Sequence, residues 1–165
     1  MQNRLSPPSL SEYLPIPQKS YYIMGIVNLN PDSFYDGGNY TTDHLAHQHI
    51  HKLIEEGADI IDLGAESTRP GAAPISEEEE LSRLRPILET YNNPTPLSID
   101  TQKASVAKWA LQHNATMIND VSGLRDPDMA QVLAEANCPV VIMHMKGTPL
   151  TMQANVRYDN VIDTI

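Results

Sequence analysis

The sequence predicts an α/β protein built on a parallel sheet, and three observations carry that prediction. Five short apolar runs, at about 21–27, 58–64, 95–100, 115–119 and 138–144, alternate with longer stretches of helical periodicity. No hairpin turn signal joins one run to the next, so each return to the sheet is a crossover. A polar residue stands at or near the C-terminal end of every run: Asn28, Asp62, Asp100, Asn119 and His144. The spacing alone fits either an open doubly wound sheet or part of a (β/α)8 barrel. No Gly-x-Gly-x-x-Gly turn follows the first run, which counts against a dinucleotide-binding sheet, while polar strand ends suit the rim of a barrel. A complete barrel takes ~250 residues, with ~200 near the lower end, so these 165 residues cover about the first five βα units.

Residues 1–20 carry Pro7, Pro8, Pro15 and Pro17 without a continuous apolar stretch, and read as an extended lead-in to a domain at 21–165 rather than a signal peptide or membrane span. The first run, Tyr21 to Val27, opens into the turn-rich loop Asn28 to Gly38. A helix is expected from near Thr42 to Glu56, with Gly57 as its left-handed stop. Asn114 and Asn137 occupy the equivalent place before the fourth and fifth strands. The second strand runs into Glu66-Ser67-Thr68-Arg69-Pro70-Gly71, and the next helix opens at Ser76, which with Glu79 forms a capping box. Glu77 and Glu78 suit the positive end of that helix, whereas Pro86 falls inside it and is expected to kink it. Asp126-Pro127-Asp128 reads as an N-cap, a first-turn proline and a first-turn acid opening the fourth helix. A fifth helix is expected within Tyr158 to Ile165.

With 21 acidic residues against 11 basic ones, the formal charge of −10 opposes sequence-independent attraction to nucleic acid or anionic membrane. The single cysteine, Cys138, has no internal disulfide partner and adjoins an apolar run, so a buried thiol and a reducing cytoplasm are expected.

Side chains at the ends of parallel strands point into one mouth. There, a carboxylate and a neighbouring amide, Asp100 and Asn119, can accept from and donate to a nitrogen-rich ring; the plainer reading is that each caps the following turn. The Arg69 guanidinium, beside Thr68, can hold phosphate oxygens, or it can pair with an acid such as Glu66 at the surface. Asn28 offers a neutral oxygen to Mg2+, which takes few protein ligands when phosphate and water supply the rest. His44, His47 and His51 share a helical face, but no Cys or carboxylate completes a closed metal site, and a solvated face is expected. Met143 and Met145 flank His144 and can wall a flat ligand or fill core.

Five ordered segments resemble the dihydropteroate synthase family of folate biosynthesis, over about Tyr22 to Gln153. They are Met24-Gly25-Ile26-Val27-Asn28 with Pro31-Asp32-Ser33-Phe34 and Asp36-Gly37-Gly38; Gly57 to Asp62 with Glu66 to Gly71; Ser98-Ile99-Asp100-Thr101; Ile118-Asn119-Asp120; and Met143-His144-Met145-Lys146-Gly147. Asn30, Tyr35 and Ala65 depart from the threonine, serine and glycine usual in that family. The resemblance implies a (β/α)8 barrel that condenses 6-hydroxymethyl-7,8-dihydropterin diphosphate with 4-aminobenzoate, releasing diphosphate, as a cytoplasmic sulfonamide target and a homodimer when full length. It implies Mg2+ as cofactor with Asn28 as its contact, Asp100, Asn119 and Thr68 as pterin-diphosphate contacts, and Met145 beside the substrate. It also implies Phe34 and Pro70 around the aminobenzoate, with Asp36 and Arg69 in catalytic roles. The family's later Asp-Pro-Gly-Phe-Gly-like, Ser-Arg-Lys-like and Arg-x-His segments do not occur in these residues, so a truncated barrel without appreciable turnover is expected. Two other readings are the pterin domain of a corrinoid-linked methyltransferase, against which Thr68-Arg69-Pro70 and Phe34 count, and a non-catalytic binding or assembly fragment.

Overall fold

A computed structural model describes residues 10–29, 42–67, 72–147, 151–152 and 156–165. Five parallel strands, β1 (Met24–Asn28), β2 (Ile60–Gly64), β3 (Leu97–Asp100), β4 (Ala115–Asp120) and β5 (Val140–Ile142), lie side by side in the order β1-β2-β3-β4-β5. The connecting helices are α1 (Thr42–Glu55), α2 (Glu77–Leu88), α3 (Ala104–Leu111) and α4 (Met129–Ala136), with a short α5 (Val161–Thr164) after β5. A doubly wound sheet reverses its strand order at a switch point; this one never reverses, as successive staves of a barrel require.

Four of the strands are shorter than the apolar runs, whereas β4 extends one residue past its run, to Asp120. Ahead of β1 the Ile23 N–H donates to Asp59 Oδ2 at 3.0 Å and Lys19 pairs with the same carboxylate, while the Ile23 carbonyl accepts from the Asp59 and Ile60 N–H groups, so side chains replace part of the ladder expected there. β1 passes so near α1 that a Cβ on Gly25 would lie 3.1 Å from Leu53 Cδ1. Between β3 and β4 the register skips: Leu97 pairs with Ala115 but Ser98 with Met117, leaving Thr116 as an extra residue. Its hydroxyl donates to the Leu97 carbonyl at 3.2 Å.

The helix stops expected from sequence are present. Gly57 has φ +104°, and its N–H and that of Ala58 donate back to Ile54 and Leu53, a Schellman closure. Asn114 and Asn137 take φ of 70° and 49°. Ser76 caps α2 by accepting from the Glu79 N–H at 3.1 Å, but the Glu79 carboxylate engages Arg83 at 2.5 Å. α2 runs through Pro86 to Leu88; the proline sits in the last turn, where it forfeits one ladder bond shortly before the helix ends. Asp126 does not cap α4 as expected. α4 begins at Met129 with Asp128 at the cap position and no side-chain capping bond, and Asp126 instead accepts from the Asp128 N–H at 3.0 Å and from the Ala104 N–H, at the start of α3, at 2.8 Å.

The main core lies between the sheet and its helices: Val27, Ile61, Leu63, Leu97, Ile99 and Ile118 pack against residues including Ile50, Leu84, Leu88, Val106 and Met129. On the other face, at the N-terminal ends of the strands, Leu14 of the lead-in packs with Ile60 and Met117. No helix among the described residues is long and apolar enough to cross a membrane.

Candidate active site

The strand register builds the mouth in rows. Asn28, Gly64, Asp100 and Asn119 are consecutive partners in the row nearest the C-terminal ends, and Ile26, Asp62, Ser98 and Met117 form the row beneath. A Cβ at Gly64 would lie 3.5 Å from Asn28 Oδ1 and 3.6 Å from Asp100 Oδ2, so the missing side chain leaves a notch between the two groups. Asn119 Nδ2 donates to Asp62 Oδ2 at 3.0 Å. Asp62 Oδ1, Asp100 Oδ1 and Ser98 Oγ are buried without a hydrogen-bond partner, an arrangement that costs free energy unless a ligand or water supplies one. Burial, then the neighbouring Asp62, Glu80, Asp120 and Glu66 carboxylates, push the Asp100 carboxyl up to about 7. Near neutral pH, Asp100 can therefore either accept or donate a hydrogen bond.

Beside the mouth, Lys103 bridges Glu66 Oε2 at 2.5 Å and Glu80 Oε2 at 2.6 Å. Glu66 Oε1 accepts from the Ile75 N–H at 3.3 Å, and Arg83 donates to the Ala65 carbonyl at 2.7 Å. Both ends of the β2–α2 connection are thereby tied down. Burial on its own would lower the Lys103 pKa, but hydrogen bonds and charge from Glu66 and Glu80 outweigh it, and the ammonium is held above its usual range. Glu66 is thus an inward-facing partner of Lys103 where a surface acid was considered. Glu80 is fully buried, although its acidic run was read as dipole complement. The available signal was its four-residue spacing from Leu84, which places both on the inner face of α2.

The exits of β4 and β5 brace one another. The Asp120 carboxylate accepts from the Ser122 N–H at 2.7 Å and the Leu124 N–H at 2.8 Å, holding Leu124 at φ 61°. Arg125 donates to the Met145 carbonyl at 3.2 Å, and the Met143 N–H to the Asp120 carbonyl at 3.2 Å. Met145 is half-buried; His144 is exposed, with Nε2 3.0 Å from the Tyr158 hydroxyl. The described residues thus bring together Asn28, Asp100 and Asn119, with Met145 on the adjoining β5 exit. Phe34, Asp36, Thr68, Arg69 and Pro70, expected on the two loops, lie outside the described residues.

On α1, His44 and His51 are exposed, while the expected solvated face is interrupted at half-buried His47, whose Nε2 is 2.8 Å from Thr90 Oγ1. Burial, then His51, lowers the His47 pKa. Among the described residues no group of three or more His, Cys, Asp or Glu side chains is placed to hold a metal ion. Cys138 is half-buried, and burial pushes its thiol up.

Consecutive parallel βα units with polar side chains gathered at the strand ends define a barrel-type α/β protein whose site is the C-terminal mouth. Residues 24–165 match the family described as pterin binding enzyme, and the chain belongs to that family. The dihydropteroate synthase of Clostridium beijerinckii is 46% identical over 147 residues, 87% of this chain and 52% of that protein. A mitochondrial folate synthesis bifunctional protein of Arabidopsis thaliana is 47% identical over 148 residues, 85% of this chain and 27% of that one. Among solved structures, Xanthomonas albilineans dihydropteroate synthase with 4-aminobenzoic acid superposes with a TM-score of 0.77 at 46% identity, covering 87% of this chain and 51% of that one. The chain thus spans about a quarter to a half of the length of these relatives.

Proposed function

We propose that this chain carries the pterin-binding half of a dihydropteroate synthase site, condensing 6-hydroxymethyl-7,8-dihydropterin diphosphate with 4-aminobenzoate. The observation that carries this reading is the row of Asp100 and Asn119, with buried Asp62 beneath, presenting unpartnered polar atoms at the strand ends of a pterin-family chain. It is supported by the relatives named dihydropteroate synthase and by a related Xanthomonas structure holding 7,8-dihydropteroate. Asp100 and Asn119 would grip the nitrogen-rich edge of the pterin, with Met145 near its face.

The Asn28 oxygen, turned into the notch over Gly64, suits a site where one neutral protein oxygen meets Mg2+ alongside substrate phosphate. When bound there, the ion would neutralise the leaving diphosphate. In the reaction, the bond between the pterin methylene carbon and the diphosphate oxygen breaks, the electron pair leaving with the diphosphate. The aromatic amine then uses its lone pair to form the carbon–nitrogen bond and loses a proton to water or the departing anion. Thr68 and Arg69 would contact the diphosphate side, while Phe34, Asp36 and Pro70 would enclose the aminobenzoate. The chain's own residues bind, orient and exclude water; no protein nucleophile is needed.

Calorimetric titration with 6-hydroxymethylpterin tests the reading. Saturable binding that weakens about 10- to 100-fold in Asp100→Ala supports it. A protein that binds no pterin, or an Asp100→Ala variant with undiminished affinity, would overturn it. Aminobenzoate should bind only after pterin and diphosphate are in place, because the residues expected to enclose it fall in the Gly- and Pro-rich segments read from sequence as two loops.

A further inference from the structure

We infer that Asp62 is a positioning residue that fixes which end of the Asn119 amide faces the mouth, and so selects ring edges that donate hydrogen bonds. The inference rests on the pterin-binding reading above and adds to it a determinant of specificity. A primary amide presents a donor end and an acceptor end of nearly equal size, and a half-turn exchanges them. Nothing in the strand register of Asn119 chooses between these states; its partners along the ladder are set by the backbone.

Asp62 makes the choice. It stands on β2, one row below, and reaches past β3 to accept from Asn119 Nδ2 at 3.0 Å. A carboxylate oxygen accepts and does not donate, so the amide must turn its NH2 inwards. Asp62 is 3% exposed, which keeps water from competing for that bond. Asn119 Oδ1 is then the atom left for a ligand, beside Asp100 in the same row. With Asp100 ionised, the mouth offers neighbouring acceptors on β3 and β4, matched to a ring edge carrying adjacent N–H groups and mismatched to one carrying lone pairs. Asp62 acts on specificity here through the amide that its Oδ2 orients.

Two measurements test the inference on the intact protein. The first needs no ligand: the Asn119 side-chain NH2 protons should exchange slowly in the wild type and markedly faster in Asp62→Asn, where the amide can turn either way. The second is affinity for 6-hydroxymethylpterin and for its analogue lacking the exocyclic amine. Asp62→Asn should weaken pterin binding about 10- to 100-fold and narrow the discrimination between the two compounds. The double variant Asp62→Asn with Asn119→Asp restores a donor-to-carboxylate bond of reversed polarity and keeps an acceptor at the mouth. It should regain most of the affinity and discrimination, which loss of packing alone would not produce. If Asp62→Asn fails to fold, the double variant decides: folded and binding supports the inference, folded and non-binding overturns it. Equal exchange in wild type and Asp62→Asn, or undiminished discrimination, also overturns it. Slow exchange in a wild type that binds no pterin would remove the pterin reading while leaving the amide orientation in place.

Discussion

Asp100 stands beside the notch over Gly64 with one buried oxygen unpartnered, and its carboxyl is pushed up to about 7, first by burial and then by Asp62. Because the folded state holds this proton more tightly than the unfolded chain, the group makes the fold less stable as pH rises from about 4 to about 7. Asp100→Asn should remove that component. The melting temperature of the wild type should fall relative to the variant across this window, and a constant offset would contradict the assignment. Lys103 gives a second expectation. Lys103→Met leaves Glu66 and Glu80 buried and uncompensated, a loss of about 3–5 kcal/mol by urea unfolding, whereas adding Glu66→Gln and Glu80→Gln should recover much of it. Asn28, Asp100 and Asn119 were legible in the sequence because a strand's end announces itself. Lys103 and Glu80 were not, because their meeting depends on which face α2 turns inwards and how α3 sits beside it.

Among the elements, helix stops and the Ser76 cap follow from local signals, while the reciprocal half of the Ser76–Glu79 box gives way to the Glu79–Arg83 pair. Ser76 and Gly57 act within the helix they flank, and Asn114 and Asn137 adopt their expected left-handed turns. Asp126 defeated the same logic because its partner, the Ala104 N–H, lies 22 residues away at the start of another helix. Asp126→Ala should therefore destabilise α3, its effect appearing as faster amide exchange there more than in α4. The expected magnitude is about 0.5–2 kcal/mol. The N-terminal limits of β1, β2, β3 and β5 fall inside the expected runs for a related reason, whereas β1 and β4 each end one residue beyond theirs. Apolar character extends the expected run through the exposed Ile23, whose N–H donates to the Asp59 side chain and not to a strand partner.

At the scale of the whole molecule, the sheet separates two jobs. Its helix-facing side is an apolar core, and its other side changes from apolar at the N-terminal ends, where Leu14 meets Ile60 and Met117, to polar at the mouth. The lead-in thus has a packing role that its proline-rich sequence did not reveal. Leu14→Ala should cost about 2–4 kcal/mol on denaturant unfolding; a change below about 0.5 kcal/mol would mean that the lead-in merely rests on the sheet. The unreversed strand order, which the spacing of apolar runs could not distinguish from a doubly wound sheet, follows from where each crossover docks.

Thr116 makes β4 one residue longer than its pairing with β3 requires, and this gives the strand a spare place in its reading frame. Ala115 keeps its place beside Leu97 and Asn119 its place beside Asp100, with the surplus absorbed between them. Loss of Thr116 would leave a regular ladder, Met117 still opposite Ser98, and the amide still in the mouth. β2 and β3 pair without any such surplus, so loss of Ile99 would turn Asp100 towards the helices. Pterin affinity should thus survive deletion of Thr116 and vanish on deletion of Ile99. A shortening mutation in this sheet is expected to be tolerated at the β3–β4 junction, which carries slack, far more readily than its burial alone would suggest.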